Sequence, residues 1–155
     1  VAARHSGIDC EERLVDAVAA LLIRDPGQFD VIVTTNMFGD ILSDEASEIA
    51  GSLGIGASLN AGHHFAVAQA QHGSAPDIAG RDLANPTSLI ESAAMLLAWL
   101  EERGRGEKFV AASQRIISAV DAAIAVPHHR TRDLGGPLGT KAFTAHVIAG
   151  LAGSA

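Results

Sequence analysis

The chain has 155 residues, about the size of one domain, and 48% of them are apolar, enough for a substantial core. A net charge of −7 argues against a nucleic-acid partner, which would need a basic face. One cysteine, Cys10, excludes an intramolecular disulfide, and the longest apolar run, Ala93 to Leu100, is too short to span a membrane.

The start, Val1 to Ser6, holds no signal-peptide run and no initiating Met, which together suggest a cytoplasmic protein and a fragment or processed product. A first helix is expected from Asp9, with Asp9 as N-cap and Glu12 in capping-box position. Its buried stripe is Leu14, Val15, Val18, Leu21 and Leu22, and Pro26-Gly27 ends it. Phe29 to Thr34 is short, β-branched and almost continuously apolar, as in a strand covered on both faces. A turn over Asn36 to Gly39 leads into a second helix through Ile41, Leu42, Ala46 and Ile49.

Gly51 to Gly56 breaks the helical pattern and marks an internal boundary. Ala57 to Gln71 has little periodicity and runs into a loop, His72 to Asp77. Asn85-Pro86-Thr87-Ser88 opens a helix with the stripe Leu89, Ala93, Leu96, Leu97 and Leu100, where Trp99 reads as a core or interface residue. After a solvated turn over Glu101 to Lys108, another helix covers Phe109 to Ala125 and stops at Pro127. The tail turns through Gly135-Gly136-Pro137 and ends in a helix over Lys141 to Leu151. Helices alternating with a buried strand indicate an α/β fold.

Two stretches carry chemistry. In Asn36-Met37-Phe38-Gly39-Asp40-Ile41-Leu42-Ser43-Asp44, the acids Asp40 and Asp44 fall on one helix face at adjacent turns. Their repulsion is relieved by a hard divalent cation such as Mg²⁺ or Mn²⁺, although an ordinary solvated acidic pair is the commoner source of that spacing. In His72-Gly73-Ser74-Ala75-Pro76-Asp77-Ile78-Ala79-Gly80, small residues let backbone approach a ligand, and the following carboxylate suits a ribose diol. On chemistry alone a plain loop with a turn Asp is the commoner source of such a stretch. The adjacent pairs His63-His64 and His128-His129 point their side chains apart and stand beside no Cys or His at ligand spacing, so no transition-metal site is expected.

Taken together, the two strings strongly resemble the β-decarboxylating dehydrogenases of the isopropylmalate/isocitrate/tartrate family, and the match runs on to Arg130-Thr131-Arg132-Asp133-Leu134-Gly135-Gly136. The resemblance implies the C-terminal part of an isopropylmalate dehydrogenase-like fold, with helices packed on a mixed sheet. It divides the chain into residues 1–50, part of a small metal-binding and dimerisation domain, and 51–155, the C-terminal half of a large NAD-binding domain. It makes Asp40 and Asp44 metal ligands and Asp16 a third carboxylate that serves the partner subunit's site, which implies a homodimer. It puts His72, Gly73, Ser74, Ala75 and Asp77 on the nicotinamide cofactor, with Asn85, and Asp133 as well, beside the adenine.

Members that use NADP tend to have Lys-Tyr where this chain has Asp77-Ile78, so the resemblance reads NAD. The implied reaction is the metal-assisted oxidative decarboxylation of a small 2-hydroxy acid. The family's Tyr acid is missing because the chain has no Tyr, and Lys108 and Lys141 lie downstream of both motifs, whereas the family's base lies upstream. Gln69-Ala70 stands where Glu-Pro is usual. No catalytic acid or base is therefore assigned, and the isolated chain is expected not to turn over. The alternative is a non-catalytic nucleotide-binding or regulatory subunit of the same family.

Overall fold

The computed structural model describes residues 2–153; Val1 and residues 154–155, the outer ends of the two expected domains, lie outside the described residues. Helix α1 (Val15–Arg24) and helix α2 (Asn36–Ala50) pack through a small cluster of Val18, Leu22 and Leu42. A hairpin follows, with β1 (Ala57–Ala61) and β2 (Ala66–Ala70) antiparallel and Leu59 opposite Ala68. Helices α3 (Thr87–Glu102), α4 (Lys108–Ala125) and α5 (Thr140–Gly153) complete the chain.

The larger apolar cluster joins α4 and α5 through Ala119, Val120, Ala123, Phe143 and Val147. The seam between α3 and the hairpin is different in kind. Ser88 and Ser92 are fully buried there: Ser88 Oγ donates to Gly56 O, and Ser92 Oγ donates to Gln69 O at 2.7 Å while accepting from Ser58 N at 2.9 Å. Hydroxyls thus close the carbonyls and amides that the hairpin leaves free on that side, as buried polar groups require.

The α/β class is as expected, while several local expectations are corrected. The first helix starts at Val15 and not at Asp9; Leu14 holds its N-cap position without a side-chain bond, and Glu11 is engaged by Arg13 at 2.5 Å. A capping box contributes only about 1 kcal/mol and cannot by itself hold a turn that buries nothing. Phe29 to Thr34 forms no strand and includes a bend at Asp30, leaving Val31 80% and Val33 92% exposed. Asn36 to Gly39 is the first turn of α2, with Gly39 N donating to Thr35 O at 2.8 Å. The aperiodic stretch Ala57 to Gln71 contains the hairpin. Helix α3 fully buries Thr87, Ser88, Ser92 and Ala94; of the expected stripe, Leu96, Leu97 and Leu100 are half-buried, while Ala93 and Leu89, 57% exposed, face outward. The sheet among the described residues consists of the two antiparallel strands, with one isolated parallel bridge between Thr131 and Leu138.

Candidate functional site

A cavity of about 440 Å³ opens where the loop after β2, the start of α3, the start of α5 and the turn after α2 meet. His72, Gly73, Ser74, Ala75 and Asn85 all line it, so residues chosen along the chain converge in space. Asp77 sits in a short turn at Pro76–Ile78, exposed, while its neighbour Ile78 supplies the wall. Ala75 has φ 40° and ψ 63°, a left-handed conformation that a residue with a Cβ adopts at a cost. His72 Nδ1 lies 2.9 Å from Gly73 O, and because the carbonyl can only accept, Nδ1 is the donor of this contact.

Asn85 is 6% exposed and uses both ends of its amide. Its Oδ1 accepts from Thr87 N at 3.0 Å, capping α3, and its Nδ2 donates to Asp133 Oδ2 at 2.9 Å. Ser52 Oγ donates to the same carboxylate oxygen at 2.6 Å. Partial burial alone would raise the Asp133 pKa, but the hydrogen bonds, that from Ser52 foremost, outweigh it and hold the group below its ordinary value. Opposite, Asp82 Oδ1 accepts from Lys141 N at 2.9 Å and caps α5 from outside the helix. The cleft is therefore framed by the N-termini of two long helices, whose amide ends favour negative charge. Ser52, Asp82 and Thr140 are site residues missed in the sequence; Asp82 could have been noticed only through a non-glycine φ of 55°, which no sequence signal announces.

The acidic pair lies beside this cleft. Asp40 and Asp44 are on one face of α2; Asp40 Oδ2 accepts from Asn36 Nδ2 at 3.1 Å and Asp44 Oδ1 from Gln71 Nε2 at 3.2 Å. Gln71 Nε2 also lies 3.1 Å from Ser47 Oγ, so the residue before His72 ties the cofactor-type loop to the carboxylate helix. Among the described residues neither Asp is in an ion pair, and both present oxygen donors to solvent, which fits a hard cation by donor chemistry. Asp16 is exposed in the first turn of α1 and accepts from Ala17 N at 2.9 Å. Among the described residues no three His, Cys, Asp or Glu side chains converge, so Asp16 is not brought into one ligand set with Asp40 and Asp44.

Fold and cleft together define the class, an α/β protein with a small-residue loop set between two helix N-termini. The family follows from comparison with known proteins: a family model described as isocitrate/isopropylmalate dehydrogenase matches residues 1–148, and the chain belongs to that family. It is 46% identical over 129 residues to the 3-isopropylmalate dehydrogenase of Saccharolobus solfataricus, covering 83% of this chain and 38% of that protein. It is 47% identical over 144 residues to the isocitrate/homoisocitrate dehydrogenase of Thermus thermophilus, covering 93% of this chain and 41% of the relative. A crystal structure of isocitrate dehydrogenase from Methylococcus capsulatus superposes with a TM-score of 0.88 at 39% identity, over 97% of this chain and 43% of the other. The chain thus spans about two-fifths of the length of the relatives it matches.

Proposed function

We propose that this chain is the NAD-binding and metal-binding portion of a β-decarboxylating dehydrogenase acting on a small 2-hydroxy acid. The observation that carries the reading is the convergence of the loop His72 to Ala75 with Asn85 on one cleft, linked through Gln71 to Asp44. In this reading residues 1–50 belong to a metal-binding and dimerisation unit, and 51–155 to the nucleotide unit. His72 to Ala75 hold the cofactor along the loop, Asp77 faces the adenosine ribose, and Asn85 and Asp133 stand on the adenine side. Asp40 and Asp44 provide oxygens to Mg²⁺ or Mn²⁺, and Asp16 extends to the site of a second copy in a homodimer. When bound, the cation supplies Lewis-acid polarisation of the hydroxy acid, and NAD supplies the hydride acceptor. The residues of this chain bind and orient; it has no Tyr, and no proton-transfer role is assigned to either Lys108 or Lys141.

The carboxylate of Asp77 is the reason for choosing NAD, since it accepts from ribose hydroxyls and repels a ribose phosphate. Calorimetric titration tests this: NAD is expected to bind saturably and more tightly than NADP. Asp77→Lys combined with Ile78→Tyr is expected to reverse the preference, by roughly tenfold or more. Mn²⁺ is expected to broaden the NMR signals of Asp40 and Asp44 selectively, and Asp40→Asn to remove that effect. Failure of NAD to bind would overturn the cofactor reading. NAD binding without any metal effect would favour a nucleotide-binding, non-catalytic subunit instead.

A further inference from the structure

Helix α3 is 16 residues long, about 24 Å, and the nucleotide-type cleft lies at its N-terminal end. A second cavity, of about 400 Å³, lies at its other end. Its walls come from three places: His63 and His64 in the loop between β1 and β2, Trp99 and Arg103 at the end of α3, and Arg105 in the turn that follows. In a chain of net charge −7 this cavity has no carboxylate in its lining. Glu101 and Glu102 are close in sequence but do not line it.

Three features prepare the cavity for negative charge. First, the Trp99 indole forms one wall, and its Nε1 is buried without a hydrogen-bond acceptor among the described residues. Second, the guanidinium of Arg103 sits 5.2 Å over the Trp99 ring while its Nη2 donates to Gly62 O at 3.2 Å, so it is already held in place. Neither Arg103 nor Arg105 is in an ion pair among the described residues. Third, the carbonyls at the end of α3, which would repel an anion, are already engaged. Trp99 O accepts from Arg103 N, Glu101 O from Gly104 N and Leu100 O from Arg105 N, a Schellman-type ending around Gly104 at φ 72°. That ending also fixes the backbone from which Arg105 projects.

We propose that this cavity is an anion site for a small, multiply charged phosphate or carboxylate compound, held by Arg103 and Arg105 against the Trp99 indole, with His63 and His64 at its rim. It is separate from the nucleotide-type cleft and does not depend on that cleft's assignment. Trp99 is the only tryptophan in the chain, so its fluorescence reports on this cavity alone. The test titrates inorganic phosphate and citrate into the purified chain, with chloride at matched ionic strength as control. A saturable change in indole emission with phosphate or citrate, absent with chloride, is expected, and the tighter of the two identifies phosphate or carboxylate as the recognised group. Arg105→Ala, with an unchanged circular dichroism spectrum, is expected to weaken the response roughly tenfold or more. His63→Ala provides a second variant if Arg105→Ala does not fold, with a smaller loss expected. Emission that follows ionic strength alike for all three anions, or a saturable response unchanged in both variants, overturns the proposal.

Discussion

Asp133 is bound by two neutral donors, Ser52 Oγ–H and the Asn85 amide, and is in no ion pair among the described residues. Hydrogen bonds to its charged form hold its pKa below the ordinary value in the folded chain, so folding is stabilised wherever the carboxylate is ionised. That contribution is fully present above the ordinary carboxylate range and is lost as pH falls through the lowered folded value. Asp133→Asn is therefore expected to cost about 1 kcal/mol near neutrality, as its solvent-facing side tempers the loss of a charged acceptor. Urea denaturation at neutral and acidic pH checks this; the deficit should shrink in acid, and a constant deficit would contradict the account. Asn85 belongs to the same unit, because its other end caps α3.

Among the connecting elements, the turn after Arg130 is the least tolerant. A Cβ on Gly136 would run into the Arg130 carbonyl, which is itself held by Leu138 N at 3.1 Å, so neither side can yield cheaply. Gly136→Ala is expected to destabilise by about 1–3 kcal/mol in a thermal melt, whereas Gly73→Ala, which meets nothing nearby, should leave the melt unchanged. Helices α4 and α5 fall within one or two residues of expectation because Pro and Gly turns punctuate their ends, whereas α1 begins well after the expected Asp9. The hairpin was not, because Ala66-Val67-Ala68-Gln69-Ala70 carries too little apolar contrast to alternate visibly. The segment Phe29 to Thr34 has the composition of a strand, but a strand requires a ladder partner, and composition does not reveal one. The cleft was half legible. His72 to Ala75 and Asn85 lie in two compact motifs, whereas Ser52 meets Asp133 across 81 residues of chain, a pairing no local pattern encodes.

Across the whole molecule, the apolar core is modest. Among the described residues its buried members are mostly Ala, Val and Leu, with Phe143 the one large side chain, and Thr87, Ser88, Ser92, Ser113 and Thr131 are buried alongside them. The family relationship rests on a match that runs over residues 1–148 and on a shared backbone across 97% of this chain, not on the two motifs alone. The hydroxyl-stitched seam between α3 and the hairpin has a thermodynamic consequence. Exposing apolar surface raises the heat capacity on unfolding and exposing polar surface lowers it, so a seam closed by Ser88 and Ser92 works against the usual increment. Scanning calorimetry of this chain is expected to give an increment below the roughly 2 kcal/mol/K typical of 155 residues. Its stability curve should accordingly be flat, changing little with temperature over a wide interval around its maximum.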